Sequence, residues 1–336
     1  MNTLTRRDLL GAGGSAALLL ALSSCARRGK ARGSIGVVLT NGTSGLVVQE
    51  IARTQGYFDE FGVRPTSLLV TDGSKCVAAL VSGASEVCIY SGFNQVIPAI
   101  ERGARLKILA GAMALSPLLM YSGRPEITKV EDLTGKTIGI GAVGAVLYQM
   151  TVLLLEKKGV SAGSVKFRNV GSAADVLKAV AAGTLDAGLG DVDVFGQQQQ
   201  FGIHALSDGM LWKEIPEYTN QASYASDTAI QSHREALVRI LAAFGKAYRF
   251  ISGPESRSAY VSEWLRITGN ADATQAITQW NWIQQNQPYD LNLLLSDQQI
   301  DYVQRTNVQF DAQKHVLPLT QVADMSLAHD ALKLLV

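Results

Sequence analysis

From Ile35 onward, short apolar runs of strand length alternate with longer segments whose apolar residues recur at helical spacing. Ile35–Thr40 reads as a strand. Asn41-Gly42-Thr43-Ser44 then supplies turn and capping chemistry for a helix that runs to about Gln55 and stops at Gly56. Ser67–Thr71 is a second strand, and Asp72-Gly73-Ser74 opens a helix closed by Gly83. Val87–Tyr90, a helix from about Asn94 to Arg102, and Leu106–Ala110 continue the pattern. It restarts with strand Thr137–Ile140, helix Ala145–Lys158 stopped by Gly159, and strand Val165–Val170. Helix Ala173–Ala182, strand Ala187–Leu189 and a helical Phe195–Phe201 follow. Such alternation predicts an α/β fold in which a mostly parallel sheet carries helices on both faces.

Two stretches are alike inside the chain. Asp72-Gly73-Ser74 leads through a helix to Gly83, Glu86 and Val87-Cys88-Ile89; Val170-Gly171-Ser172 leads likewise to Gly183, Asp186 and Ala187-Gly188-Leu189. The pattern is that of two lobes of similar build. The last third changes character and reads as helices over Arg234–Ile251, Glu255–Ile267, Ala271–Gln284 and Asp297–Gln304, packed around a lobe already formed. The four glutamines Gln197–Gln200 fit a solvated helical face.

The start of the chain follows a different grammar. An apolar run of 14 residues, Leu9–Leu22, suits a signal-peptide core and falls short of the roughly 20 residues that span a bilayer as a helix. It ends in Leu22-Ser23-Ser24-Cys25, which resembles the lipobox of bacterial lipoproteins, and Arg6-Arg7 before it resembles a twin-arginine export signal with Leu9 in place of the usual phenylalanine. An ordinary N-terminal membrane helix or a plain secretory signal is the other reading. Residues 1–24 are thus expected to be removed, Cys25 to carry lipid, and residues 25–33, with Arg27, Arg28, Lys30 and Arg32, to form a flexible tether. Cleavage leaves 312 residues with 28 basic and 28 acidic side chains. That neutrality argues against nucleic acid as a partner, since such binding needs several phosphates neutralised at once. No later stretch reaches spanning length without charges, so a soluble body is expected. Cys76 and Cys88 would then be the remaining thiols, read as small buried residues, although an oxidising compartment would permit their pairing.

In open α/β sheets, ligands bind beyond the carboxyl ends of the strands, where helix N-termini present unpaired N–H groups. That rule selects the loops Thr40–Ser44, Asp72–Lys75, Tyr90–Asn94, Gly141–Ala145 and Val170–Ala173, with Asp191 and Asp193 after a sixth strand. The candidate ligand-binding residues are Asn41, Thr43, Ser44, Asp72, Ser74, Lys75, Ser91, Ser116, Gly144, Ala145, Ser172, Asp191 and Asp193. Glycine and serine in such turns also serve simply as caps. Gly139-Ile140-Gly141-Ala142-Val143-Gly144 has the spacing of a dinucleotide fingerprint but lies in the second lobe of an exported chain, so it reads as a glycine-rich cleft loop. His204, His233, His315 and His329 are scattered outside these loops, and no zinc-site spacing or nucleophile motif occurs. No cofactor, metal or catalytic residue is expected; Asp191 and Asp193 fit a polar ligand contact or a helix cap.

These segments resemble a known family. Gly56-Tyr57-Phe58 with Phe61-Gly62-Val63, Ala79–Gly83 with Glu86-Val87, Val130–Gly139 and Ala179–Gly183 with Leu185-Asp186-Ala187 are similar, in order and spacing, to motifs of nitrate/sulfonate/taurine-type solute-binding proteins of ABC importers. The likeness runs from about Ile35 to Ile251. It implies a two-lobe periplasmic-binding-protein fold (type II-like), hinged by two crossover segments near Ser116–Tyr121 and Gln221–Tyr224. Lobe 1 would comprise residues 34–115 and 225–336, and lobe 2 residues 116–224. The resemblance further implies a monomer that passes a small-molecule ligand to a membrane permease driven by a cytoplasmic ATPase, outside the cytoplasm (periplasm or cell surface). Helix N-termini at Ser44, Ser74, Ala145 and Ser172 point to a small organic anion, of sulfonate, taurine, carboxylate or nitrate type. Asp191 and Asp193 add an amine or hydroxyl to that ligand, and leave open a nitrogen heterocycle such as a thiamine-precursor pyrimidine. Lys75 is the one basic side chain in the selected loops, and Trp280 or Trp282, but not both, could reach the cleft rim. A sensory or adaptor lipoprotein is another role this pattern allows. Enzymes of this fold that make a thiamine pyrimidine depend on a cysteine-rich motif absent here.

The Cys25→Ser variant is expected to lose membrane attachment or to stall before maturation. Palmitate labelling that persists in that variant would refute lipidation at Cys25.

Overall fold

The computed structural model describes residues 33–141, 143 and 145–336. Cys25, the signal segment, most of the tether and Gly144 lie outside the described residues. Among the described residues ten strands form two five-stranded sheets. In chain order they are β1 (Ser34–Thr40), β2 (Arg64–Val70), β3 (Val87–Ser91), β4 (Leu106–Met113), β5 (Leu118–Ser122), β6 (Thr137–Ile140), β7 (Lys166–Asn169), β8 (Ala187–Asp191), β9 (His204–Met210) and β10 (Gln221–Ser226). The sheets read β2-β1-β3-β10-β4 and β7-β6-β8-β5-β9. Each therefore centres on a parallel set with one antiparallel strand inserted, β10 in the first and β5 in the second.

Those two inserted strands shift the expected boundaries. The chain leaves the first lobe between β4 and β5, over residues 114–117, and returns before β10. Gln221–Tyr224 is thus a strand of lobe 1, and most of Ser116–Tyr121 is a strand of lobe 2. In β10 the apolar positions are only Ala222, Tyr224 and Ala225, set between Gln221, Ser223 and Ser226. So polar a segment looks like a connector until its neighbours bury it. β9 is hidden for the same reason.

The internal repeat has a physical basis. The helices Gly73–Val81 and Ala173–Ala181 begin at Asp72 and Ser172, whose side chains accept from the backbone N–H of Lys75 and Asp175. Gly83 and Gly183 follow with φ of 74° and 70°, a region glycine enters without steric cost. Glu86 and Asp186 then accept from the backbone N–H of Gly36 in β1 and of Thr137 at the start of β6. The acid after each glycine thus fastens one β-α unit to the next. Gly139 belongs to this packing as well: a Cβ there would run into Val176 and Leu185.

The longer helices of the last third are Asp227–Ser252, Arg257–Thr268, Thr274–Asn286, Asp297–Gln309 and Ser326–Lys333. The first, kinked at His233, buries Leu237, Leu241, Phe244 and Tyr248 in one cluster with Ile35, Val37 and Leu39 of β1. Lobe 2 has its own core of Met120, Ile138, Leu154, Leu189 and Leu206. Among the described residues no helix is long and apolar enough to cross a membrane. Cys76 and Cys88 are buried free thiols.

Asp290 lies in the edge of this first-lobe core. Its backbone N–H donates to the Ala112 carbonyl, one carboxyl oxygen is buried without a partner, and Gly111 leaves it room by lacking a Cβ. Burial pushes its carboxyl up to about 7. Such a group stabilises the fold least above that pH, where a buried charge must be kept, and the penalty fades as pH falls toward the unfolded-state value of about 3.9. Asp290→Asn is expected to raise the melting temperature at pH 8.5, with the gain shrinking to about a third at pH 5. An equal gain at both pH values would show that the side chain is not protonated in the native state.

Candidate functional site

The carboxyl ends of β1, β3 and β4 in lobe 1 face that of β8 in lobe 2 across a cavity of about 230 Å³. This is small beside the roughly 300–1,000 Å³ of pockets for drug-sized ligands. Lobe 1 contributes Thr40, Gly42, Thr43, Ser44 and Gly45 from the β1 turn, Tyr90 from β3 and Met113 from β4. The first crossover adds Pro117, the second Asn220, and the inserted strands Leu118 and Gln221. Lobe 2 supplies Asp191 and Asp193, while Trp264 and Gln279 arrive from the C-terminal helices. A wider groove of about 520 Å³, lined by Gly83, Glu86, Arg105 and His233 among others, opens at the opposite ends of the first-lobe strands, away from the helix N-termini.

Tyr90 is held in an unusual backbone state. Its φ is 56°, in the left-handed region that residues with a Cβ seldom occupy. Gly45 permits this: a Cβ there would meet the Tyr90 ring at 3.0 Å. The Tyr90 hydroxyl donates to Met113 Sδ at 3.6 Å, and its ring lies 6.2 Å from those of both Tyr248 and Tyr289. Tyr248 and Tyr289 stack at 5.2 Å. Burial pushes all three phenols up, so they remain neutral.

Asp191 ends β8, and its carbonyl accepts the Tyr121 hydroxyl at 3.0 Å. Asp193 sits in the 3-10 turn Val192–Gln197. Both side chains are partly accessible, but the cavity is the space they open onto, so protein surrounds them on most sides. That burial raises both carboxyls well above the ordinary range, and the nearness of Asp193 raises Asp191 further. The turn that carries Asp193 packs on the helix Thr274–Asn286, with Gln197 Nε2 donating to Asp272 Oδ2 at 2.8 Å. A lobe 1 helix thereby grips the acidic segment of lobe 2.

On the other flank the lobes meet through amides. Gln149 of lobe 2 is wholly buried. Its Oε1 accepts from Asn94 Nδ2 at 3.1 Å and from the Tyr218 hydroxyl at 3.2 Å, and its Nε2 donates to Asn307 Oδ1 at 3.1 Å. Asn307 Nδ2 donates in turn to the Asn94 carbonyl at 2.8 Å.

Of the residues expected from sequence, Thr43, Ser44, Asp191 and Asp193 line the cavity. Asn41, Asp72, Ser74, Lys75, Ala145 and Ser172 are not among its walls. Asp72 and Ser172 are occupied as helix caps, and Lys75 Nζ donates to Thr71 Oγ1 at 2.7 Å. Ser91 and Ser116 are buried against Cys76 Sγ and Met150 Sδ, at 3.8 and 3.7 Å. Neither tryptophan proposed for the rim lines the cavity. Trp280 donates to Ser256 Oγ at 2.9 Å, and Trp282 packs edge-on to Trp212. Trp264 takes that place instead, one helix earlier. Tyr90 lay within a selected loop, but no local signal marks Gln279 or Trp264, which tertiary packing alone brings to the cavity.

The sequence profile described as NMT1/THI5 like matches residues 47–256. No curated protein matches the sequence. Among solved structures, the periplasmic aliphatic sulphonate binding protein SsuA of Escherichia coli is 14% identical, with a TM-score of 0.72 over 87% of this chain and 92% of that one. The alkanesulfonate-binding protein SsuA from Xanthomonas axonopodis pv. citri, bound to MOPS, is 18% identical, with a TM-score of 0.68 over 89% and 97%. The periplasmic nitrate-binding protein NrtA of Synechocystis PCC 6803 is 14% identical, with a TM-score of 0.68 over 90% and 88%. Fold and profile agree: the chain has the periplasmic-binding-protein fold and belongs to the NMT1/THI5-like family.

Proposed function

We propose that this protein is the solute-capturing component of an ABC importer, held outside the cytoplasm by lipid on Cys25 and delivering its ligand to a permease with a cytoplasmic ATPase. The observation that carries this reading is a small cavity whose walls come from both lobes and both crossovers. A solute bound there touches every part that must move if the lobes open, so its binding energy bears directly on the closed population. Solved proteins of the same fold that are named for sulfonate and nitrate binding lend support. The tether keeps the body near its permease, which raises their effective concentration.

Of the ligand classes weighed from sequence, the cavity suits the anion least. The described residues that line it include two carboxyls and no lysine or arginine. A ligand with N–H groups fits better, because carboxylates accept and cannot donate once ionised.

Deleting the gene in its host should abolish high-affinity uptake of the small molecule that co-purifies with the folded protein. Uptake that survives the deletion unchanged, with no solute recovered from the protein, counts against the importer role. The seam predicts a second outcome. Gln149→Ala leaves Asn94, Asn307 and Tyr218 short of partners, at about 1–3 kcal/mol for each buried group left unmade. Small-angle scattering of this variant should show a larger radius of gyration than the native chain, and solute should restore compaction only in part. Identical profiles would mean that the amide cluster does not hold the lobes together.

A further inference from the structure

We infer that the ligand of this cavity is a small organic cation, with its charged nitrogen held by Asp191 and Asp193. The assignment rests on the solute-binding reading above and narrows it to one chemical class. Two carboxyls share a space of about 230 Å³ with no basic side chain among the described lining residues. The groups that face them from neighbouring elements are neutral as well: Tyr121 on β5 and Tyr260 on the helix Arg257–Thr268 are phenols kept protonated by burial. Enclosed without a counter-ion, both carboxyls hold their protons above the ordinary range, chiefly because burial makes their charge costly, and for Asp191 also because Asp193 is near. A cation takes the place of those protons, whereas an anion would add a third negative charge to an enclosed space.

Three further features fit the same ligand. Gln279 is 1% exposed, lines the cavity and has its Nε2 donor without a partner, so it awaits an acceptor such as a ligand hydroxyl or carbonyl. Gln221 Oε1 is an unpartnered acceptor that also lines the cavity and suits a second N–H. Tyr90 and Trp264 bring aromatic rings to the lining, and ring faces attract cations.

Calorimetry on the detergent-purified full-length protein can test this with putrescine, agmatine and choline against taurine, isethionate and nitrate, with cytosine as a neutral heterocycle. At least one cation is expected to bind at pH 8. Asp191→Asn and Asp193→Asn should each weaken it about tenfold or more, one pK unit of lost interaction, with unchanged circular dichroism. In the native chain the same cation should bind at least tenfold more weakly at pH 5, where protons compete for the pair; this readout does not depend on any variant folding. Failure of every cation to bind overturns the assignment, as does cation binding that ignores pH and both substitutions. If an anion or cytosine binds instead and compacts the protein, the cation class falls while the importer reading stands. If nothing in the panel binds, the assignment falls, and gene-deletion uptake decides the importer reading separately.

Discussion

The arrangement of this molecule depends on a side chain with no charge. Gln149 is enclosed where the lobes meet, and its amide is satisfied only when Asn94, Asn307 and Tyr218 are all in place. A buried amide that loses its partners costs more than one that never had them, because water cannot reach in to replace them. The seam is therefore made or broken as a unit. The cavity on the other side of the interface exists at its present width because this cluster, and the helix Thr274–Asn286 against the turn Val192–Gln197, fix how far apart the lobes stand.

Held at that width, the cavity gathers features that oppose one another in the free protein. The turn after β1 opens the helix Thr43–Thr54 with N–H groups that favour negative charge. Asp191 and Asp193 on the facing wall supply it, but from positions where burial makes ionisation costly. Tyr90 keeps a backbone conformation it would not choose alone. Strain and unpaired polar atoms of this kind persist only where the surrounding structure over-determines them, and they collect at functional sites.

Much of the fold was legible because its rules are local. Strands ended near Thr40, Val70 and Ile140 where turn residues replaced apolar ones, and helices stopped at Gly56, Gly83, Gly159 and Gly183, each with positive φ. The strands that escaped notice, β5, β9 and β10, are followed by no β-α crossover of their own, and β9 and β10 carry too few apolar residues to declare themselves. The site was half legible. The rule that ligands lie beyond strand carboxyl ends picks out Thr43, Ser44, Asp191 and Asp193, but it also picks out Asp72, Lys75 and Ser172, whose side chains are taken by local caps and contacts. Capping and binding call for the same residue types. Gln279 and Trp264 lie on helices whose place over the cavity is set by contacts with segments far away in the chain, which no local pattern encodes.

The insertion of β10 into the first sheet has a consequence for how the chain is assembled. β10 is the one strand that flanks β4, so residues 106–113 wait for a strand synthesised more than a hundred residues later. The second sheet has no such debt: β5 through β9 form one unbroken stretch, residues 118–210. As the chain emerges, the middle of the sequence can close its own core while the beginning remains an open half-sheet with an unpaired edge. Vectorial synthesis usually favours the N-terminal part. In this topology the later-made lobe has all its strands before the earlier one does.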